Sequence, residues 1–334
     1  MRKFGTRFGI IAAALAVAGC GTSGQLASRA TGANTAGSGS DLATASRAWL
    51  RYPDAPTARF AAAGAASGFR LLVLGGYDDA LGRLGNVEQF TAFDKWETLP
   101  ALPTRRSSAA AATVPSERIL VFGGAVPGGV ATQPLGSVER LSLATRKWDR
   151  LADMPTPRWG AAAAAKGLFV YVAGGSSWGH AVDAFELYNA IDNTWKALPA
   201  LPQAREFAAI GALGERVVVA GGAVGGVPSN DTHVYNPEAG TWTKVAPMPT
   251  PRTQAAYAVY GHVLYVVGGI GPGGKSTAVE SFHLGTGAWT RHTPLPEPLS
   301  GAVAARLGER LVVTGGSGAD GRASARTYGL PFSL

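Results

Sequence analysis

A repeat with a period close to 47 residues is the feature that most constrains how this chain can fold. Six glycine pairs follow aliphatic runs, and successive pairs lie 47 to 51 residues apart. The pairs are Gly75-Gly76, Gly123-Gly124, Gly174-Gly175, Gly221-Gly222, Gly268-Gly269 and Gly315-Gly316. Six tryptophans recur at intervals of 47 to 52 residues, namely Trp49, Trp96, Trp148, Trp195, Trp242 and Trp289. Two markers in one frame indicate repeated units that bury their apolar surfaces against their neighbours.

Each unit is predicted to contain four β-strands. Runs such as 71–74 and 217–219 are short, apolar and bounded by glycine, which is typical of buried strands. Alanine-rich runs such as 109–112 and 161–165 precede them. Alanine favours helices, so a helix is the alternative there. The runs are short and recur at a similar offset, which favours the innermost strand of a propeller blade, where blades converge and side chains must be small.

A proline followed three residues later by arginine is a further marker, found in five units. Together with the glycine pairs, a Val-Glu-x-Tyr/Phe segment and the tryptophans, this pattern resembles the kelch repeat throughout residues 47–334. The resemblance implies an all-β, six-bladed kelch β-propeller. In the kelch family, the surface formed by the loops around the central channel commonly binds a ligand.

The ends of the repeat region predict how the ring closes. The sixth glycine pair is followed by a third strand near residues 325–328, and no tryptophan follows it. Trp49 precedes the first glycine pair and has no blade of its own. We therefore expect the amino-terminal strand around Trp49 to complete the last blade, which leaves no open strand edge.

The amino end predicts export. Arg2, Lys3 and Arg7 precede a short apolar stretch at residues 10–18, which is typical of a secretory signal and too short for a stable transmembrane helix. Residues 1–19 are therefore predicted to be a lipoprotein signal peptide. Residues 20–46 are predicted to comprise a lipidated cysteine and a flexible linker, since they contain few large apolar groups.

The segment 17–20, Val-Ala-Gly-Cys, resembles the bacterial lipobox, and Cys20 is the only cysteine in the chain. The resemblance implies lipidation of Cys20 and a place in the bacterial cell envelope. Gly21 stands where an aspartate is associated with inner-membrane retention, so the outer membrane is favoured. An ordinary cleavable signal with a chance cysteine is the alternative.

Composition argues against several classes of partner. The net charge is +8, but the basic residues are spread along the chain, so we expect no nucleic-acid partner. The five histidines have no metal-ligand spacing, and no nucleophile elbow or phosphate loop occurs. We therefore expect no metal and no cofactor.

The Pro-x-x-Arg arginines have two interpretations. Antiparallel strand order places these segments on the same end of the propeller as the loops after the glycine pairs. A ring of guanidinium groups there would bind anions. Alternatively each arginine pairs with an acid on its own blade's third strand, because the unit with Leu299 in place of arginine also has Arg326 in place of glutamate. The arginines are Arg59, Arg106, Arg158, Arg205 and Arg252; the third-strand residues are Glu88, Glu139, Glu186, His233 and Glu280.

A second group of candidate residues maps to the same end. Trp159 and Trp178 fall outside the repeat frame, His180 lies near Trp178, and Glu206 follows Arg205. Two indoles with polar neighbours could stack on a sugar or anchor a protein. The alternative is that these aromatic residues fill the space between neighbouring blades.

Function is the least constrained property. The constant frame and variable loops favour a binding module or scaffold for a protein or a glycan, anchored to a membrane through its lipid. The alternative is an exported sugar mutarotase or epimerase of the sialic-acid type, a class that the chain resembles in fold and compartment. In that case Glu206 would be the acid–base group, and Arg205 or Arg158 would hold the anion.

Overall fold

The computed structural model describes residues 48–128 and 131–332. These residues form 34 strands and no helix. Strand β1 (Leu50–Tyr52) is the first strand of the described residues and belongs to the last blade. Six four-stranded antiparallel sheets form the six blades, and five blades also carry a two-stranded hairpin between their second and third strands.

The strands of the first three blades follow in chain order. Blade one contains β2 (Ala63–Ser67), β3 (Arg70–Leu74), the hairpin β4 (Tyr77–Asp78) and β5 (Gly82–Arg83), β6 (Val87–Thr91) and β7 (Trp96–Leu99). Blade two contains β8 (Ala110–Val114), β9 (Arg118–Phe122), the hairpin β10 (Ala125–Gly128) and β11 (Ala131–Pro134), β12 (Val138–Ser142) and β13 (Lys147–Leu151). Blade three contains β14 (Ala162–Lys166), β15 (Phe169–Ala173), the hairpin β16 (Ser176–Ser177) and β17 (His180–Ala181), β18 (Phe185–Asn189) and β19 (Thr194–Ala197).

The remaining blades repeat this plan. Blade four contains β20 (Ala209–Leu213), β21 (Arg216–Ala220), the hairpin β22 (Ala223–Val224) and β23 (Val227–Pro228), β24 (Thr232–Asn236) and β25 (Thr241–Val245). Blade five contains β26 (Ala256–Tyr260), β27 (Val263–Val267), the hairpin β28 (Ile270–Gly271) and β29 (Gly274–Lys275), β30 (Val279–His283) and β31 (Ala288–Arg291). Blade six contains β32 (Val303–Leu307), β33 (Arg310–Thr314) and β34 (Thr327–Pro331), with β1 outermost.

The alanine-rich runs are strands, so the helix alternative is wrong. They form the innermost strand of each blade, and these six strands contact one another around the channel. Tertiary context overrides the helix propensity of alanine here, because only small side chains fit where six blades converge. The predicted all-β, six-bladed propeller is confirmed.

The apolar core lies between adjacent blades. Leu72, Leu74 and Val87 of blade one pack against Ile119 and Val121 of blade two, and all five are buried. Equivalent clusters lie at the other blade junctions. Each repeat therefore depends on its neighbours for burial of its apolar side chains.

The repeated tryptophans bond one blade to the next. Every one of the six indole Nε1 groups donates to a backbone carbonyl of the preceding blade at 2.9–3.1 Å. Trp49 takes part by donating to Thr293 at 3.1 Å, which joins blade six to blade five. The polar edge of each indole is thereby satisfied while its rings pack against the blade.

Strand β1 completes blade six as predicted. Leu50 lies opposite Gly329, Arg51 opposite Tyr328 and Tyr52 opposite Thr327 in an antiparallel pairing with β34. The ring therefore closes with one strand from the beginning of the domain and three strands from its end.

The predicted signal peptide (1–19), the lipidation site Cys20 and the linker (20–46) lie outside the described residues. Among the residues that are described, we find no helix long and apolar enough to cross a membrane.

Candidate functional site

One end of the propeller is formed by the hairpins and the segments that enter each blade. The residue after each Pro-x-x-Arg or Pro-x-x-Leu motif bridges to the residue after the same blade's glycine pair. The bridges are Phe60–Tyr77, Ser107–Ala125, Trp159–Ser176, Glu206–Ala223, Thr253–Ile270 and Ser300–Ser317. We call this end the hairpin face, and it comprises these segments together with the five hairpins.

The glycine pairs permit a close approach of backbones beneath this face. Gly75 adopts φ +60°, and a Cβ on it would lie 2.5 Å from the carbonyl oxygen of Arg106. Only glycine allows both this conformation and this contact. The pairs thus fix how each blade meets the entering segment of the next.

The side chains of the Pro-x-x-Arg arginines point into the blades and are not exposed on the hairpin face. All five are 0–1% exposed, and four form ion pairs inside their own blades. The pairs are Arg59–Glu88 at 2.8 Å and Arg106–Glu139, Arg158–Glu186 and Arg252–Glu280 at 2.7 Å. The predicted anion-binding ring of Arg59, Arg106, Arg158, Arg205 and Arg252 is therefore wrong, because no guanidinium is left accessible to a ligand.

The pairs belong to a larger buried network that the alternative interpretation foresaw in part. In blade three, the Thr156 hydroxyl donates to Glu186 Oε1 at 2.8 Å, while Arg158 binds Oε2. Both carboxylate oxygens are thus engaged. Burial lowers the pKa of Arg158, and the adjacent Glu186 opposes that shift.

Blade four departs from this pattern because no carboxylate of the described residues forms an ion pair with its arginine, and the nearby Asp231 pairs with Lys244 instead. Arg205 instead binds the carbonyl of Gly221 at 3.0 Å and the side-chain oxygen of Gln203 at 3.2 Å, and it lies 3.5 Å from His233 Nδ1. Burial, followed by the charge of Arg205, lowers the pKa of His233 to about 4. His233 is therefore neutral at pH 7, and its Nδ1 must be the acceptor facing Arg205.

Blade six replaces the pair with a different arrangement. Tyr328, not Arg326, occupies the glutamate position, since it lies opposite Val313 as Glu88 lies opposite Val73. The Tyr328 hydroxyl donates to Glu297 Oε1 at 2.7 Å, and Arg326 forms an ion pair with the same carboxylate. The sequence alignment of Arg326 with the glutamates was therefore two residues out of register.

The second group of predicted site residues does lie on the hairpin face. Trp159 and Glu206 are half-buried and hold equivalent bridging positions in blades three and four. Trp178 stands at the turn of the β16–β17 hairpin with 65% of its surface exposed, and His180 is exposed on β17. The idea that these four side chains form one ligand site stays a prediction.

Apolar hairpin tips were missed by sequence reasoning. Leu81 in blade one and Val227 in blade four are 66% and 64% exposed, close to the value for Trp178. Phe60 and Tyr77 add an aromatic pair with ring centroids 5.3 Å apart. The signal was available as single apolar residues within the glycine-rich loops after the strands.

A closed ring of backbone hydrogen bonds surrounds the channel on this face. Six equivalent residues have φ between 52° and 63°, and each amide donates to the equivalent carbonyl of the preceding blade at 2.7–3.2 Å. We call it the mouth ring, and it consists of Ala61, Ser108, Gly160, Phe207, Gln254 and Gly301. Because four members are not glycine, the left-handed conformation is strained at these positions.

The channel behind the mouth ring is narrow and largely apolar. Tyr257 reaches from blade five towards blade three, where its hydroxyl lies 3.3 Å from the amide of Ala163. It lines both a cavity of about 110 Å³ under the mouth ring and one of about 320 Å³ further along. Among the described residues, no charged side chain lines the smaller cavity, and burial raises the pKa of Tyr257 to about 12.

Comparison with known proteins agrees with this architecture. A family profile described as "Kelch motif" matches residues 106–155, 204–249 and 251–296. These are kelch repeats. The human protein "Kelch domain-containing protein 8B" is 32% identical over 160 residues, which cover 43% of this chain and 44% of that protein. "Kelch-like protein terF" of Aspergillus terreus is 33% identical over 96 residues, covering 27% of this chain and 20% of that protein.

The matched region spans less than half the length of these kelch relatives. A solved structure described as "Structure of YjhT" aligns with a TM-score of 0.72 at 18% identity, over 83% of this chain and 95% of that chain. A likeness at that identity is one of fold alone.

The positions of Arg158 and Arg205 do not favour the alternative function, a sugar mutarotase. That mechanism needed Arg205 or Arg158 as an anion clamp beside Glu206. Both guanidinium groups are buried inside their blades and occupied by partners within them. In the described part of the chain, no group of three or more metal-ligating side chains is close enough together to hold a metal ion.

Proposed function

We propose that the kelch propeller is a protein-binding module or scaffold whose partner docks on the hairpin face. The kelch repeats support this, because propellers of this type generally mediate protein interactions. The tips at Leu81, Trp178 and Val227 support the choice of face, since exposed apolar side chains on a rigid frame can enter pockets of a partner.

Trp178 carries the proposal. It occupies the first position of the two-residue turn between Ser177 and His180, with φ +50° and with Gly179 next at φ +88°. Blade four uses Gly225-Gly226 in the equivalent turn. A left-handed conformation costs a bulky residue about 1–2 kcal/mol, so the exposed indole opposes folding. A residue that costs stability and gains no burial points to a role outside the fold.

The test separates stability from binding. Trp178→Asn creates an Asn-Gly turn, which suits this hairpin better, so Tm is expected to stay equal or rise. Immobilised full chain is used to capture partners from an envelope extract of the source cell, with quantitative mass spectrometry. Partners of the hairpin face are expected to be lost with Trp178→Asn.

Ile191→Asn is the matched control. Ile191 is also 65% exposed, but it lies in the loop between β18 and β19 at the opposite end of blade three. Proteins retained by this variant and lost with Trp178→Asn would identify the face. Equal capture by both variants and the parent would overturn the proposal.

A glycan is a second outcome of the same experiment. Trp178 and Trp159 provide indole surfaces on which a sugar ring can stack, and His180 is exposed nearby in the chain. Saturable binding on a glycan array that disappears with Trp178→Asn would assign a glycan instead of a protein to this face.

Membrane anchoring through Cys20 is part of the proposal. The lipobox-like segment 17–20 supports it, and it would hold the propeller at the bacterial cell envelope, with the outer membrane favoured by Gly21. Labelling of growing cells with an alkyne fatty acid tests the anchor. Label on the parent chain but not on Cys20→Ser is expected, and an unlabelled parent would contradict it.

A further inference from the structure

A groove between blades one and two lies at the end opposite the hairpin face. It has a volume of about 650 Å³, within the range of ligand-binding clefts. Blade one lines it with the turn between β2 and β3 and the loop between β6 and β7, and blade two with Glu117, Leu143 and Arg146. This surface has no part in the function proposed above.

Two exposed phenylalanines line this groove. Phe93 is 85% exposed and Phe69 is 66% exposed, and both belong to blade one. A pair of exposed aromatic side chains beside one groove is typical of a protein-binding surface. They supply apolar contact area for an occupant that has apolar side chains of its own.

The charged groups of the groove leave two cations without a partner. Both lining carboxylates are engaged, since Gln89 donates to Glu97 at 2.6 Å and Arg70 pairs with Glu117 at 3.3 Å. Lys95 and Arg146 are exposed and have no side-chain partner among the described residues. Because Gln89 is neutral, Glu97 keeps its charge, but the three cations and two carboxylates of the lining still leave a net positive charge.

The backbone at Arg146 gives a second, independent indication. Two residues before each repeated tryptophan from Trp96 to Trp289 the chain turns with φ between 55° and 67°. The other blades place residues that tolerate this conformation there, namely Asp94, Asn193, Gly240 and Gly287. Blade two places an arginine there instead, at a cost in stability and with no ion pair in return.

We propose that this groove binds an extended acidic peptide segment of a partner protein, in which carboxylates flank an apolar side chain. Lys95 and Arg146 pair with the carboxylates, and Phe69 and Phe93 contact the apolar residue. In a peptide, carboxylates and an apolar side chain can stand on neighbouring residues, as the groove requires. The groove is open to solvent along its length, which suits an extended chain better than a small molecule that must be enclosed.

Affinity selection of a random 12-residue peptide library displayed on phage tests the proposal against the full chain. Peptides rich in Asp and Glu around an aromatic or aliphatic residue are expected. The same selection on the double variant Lys95→Gln/Arg146→Asn is expected to lose them, with affinity of the recovered peptides falling at least tenfold. Lys196→Gln, which removes an exposed cation from blade three, is the matched control and is expected to retain them.

A stability measurement shows whether a variant loses peptide binding merely because it is less well folded. Arg146→Asn restores a residue suited to the turn, so its Tm is expected to equal or exceed that of the parent while peptide affinity falls. Peptides that bind the hairpin face would be retained by both the parent and the double variant, which separates the two proposals. Recovery of no acidic peptides, or their equal recovery by the double variant, would overturn the inference, as would self-association of the chain that is abolished by Phe93→Ala alone.

Discussion

In four blades a buried arginine and a buried glutamate join the segment that enters the blade to the blade's third strand. Arg59, for example, also donates to the carbonyls of Gly75 and Asn86 at 3.0 Å, so one guanidinium ties three segments together. The desolvation of such a pair can cancel its Coulomb energy. What it enforces is the register between loop and strand, because removing one partner leaves the other charged and buried.

Glu186→Gln is expected to lower the free energy of unfolding by about 3–5 kcal/mol, since Arg158 is left buried beside a neutral amide. Urea denaturation measures the change. Asp153→Asn is the control, because its pair with Arg150 is exposed on both sides and contributes about 0–1 kcal/mol. Equal losses in the two variants would contradict the role of burial.

Blade four predicts a dependence of stability on pH. The pKa of His233 is about 4 in the folded chain against an ordinary value of 6.5, so the unfolded chain takes up a proton first as pH falls. Stability is therefore expected to be complete above pH 6.5 and to decline from there towards pH 4. His233→Glu gives the already buried Arg205 a carboxylate partner and is expected to raise stability at pH 7 by up to about 1.5–3 kcal/mol, the contribution of a hydrogen bond to a charged group.

Thermal unfolding at several pH values checks this expectation. The decline between pH 6.5 and 5 should be smaller in His233→Glu than in the parent. His180→Gln removes an exposed histidine and should leave the parent profile unchanged. A His233→Glu variant that is less stable than the parent at pH 7 would show that blade four is adapted to a neutral partner.

Among the elements, β1 has an effect out of proportion to its three residues. It covers the edge of β34, and the Tyr52 ring lies over Gly329 so closely that a Cβ there would be 2.5 Å from it. The adjacent Trp49 bonds to blade five. Blade six therefore reaches the four strands of the other blades only through this one short element.

A chain that begins at Asp54 is expected to melt roughly 5–10 °C below one that begins at Ser46, because the outer strand of blade six and its tryptophan are lost. The uncovered edge of β34 should also promote self-association, visible by light scattering. Differential scanning calorimetry measures the first effect. Equal melting temperatures for the two chains, with both remaining monomeric, would disprove closure by β1.

Sequence predicted the elements better than their exact register. Spacing of glycine pairs and tryptophans was sufficient for six blades and for closure by β1, because each marker has a fixed structural task. It failed at Arg326, because blade six has Leu299 at the arginine position and Tyr328 at the glutamate position of the repeat, so the usual pair does not mark the register. Burial of the five arginines was foreseen only as one alternative, since a charge in a sequence does not reveal whether its partner lies inside the fold.

For the whole molecule, the mouth ring joins all blades in one cycle of hydrogen bonds. No sequence signal marks it, because alanine, serine, phenylalanine and glutamine do not indicate a positive φ. The strain of this conformation is tolerated because six equivalent bonds fix it together. Opening one bond requires two neighbouring blades to separate, and their shared core opposes that.

The six amides of the mouth ring are therefore expected to exchange with deuterium at one common slow rate, that of global unfolding. Hydrogen exchange followed by NMR or mass spectrometry measures it. Amides of the β22–β23 hairpin, which protrudes on the hairpin face, should exchange much faster. Fast exchange at Phe207 with protection at Ala61 would indicate blades that open independently.

Closure by β1 also determines how late during synthesis the propeller can complete its ring. Arg51 meets Thr327 across 276 residues of chain, so the first strand to be made waits for the last. At about 5–20 residues per second, a ribosome needs roughly 14–55 s to cover that distance. During that interval β1 has no partner strand, because the other three strands of blade six have yet to be made, and the nascent chain cannot complete its ring. A chaperone or translocase therefore has this interval in which to bind the unfolded polypeptide before β1 pairs with β34 and the ring closes.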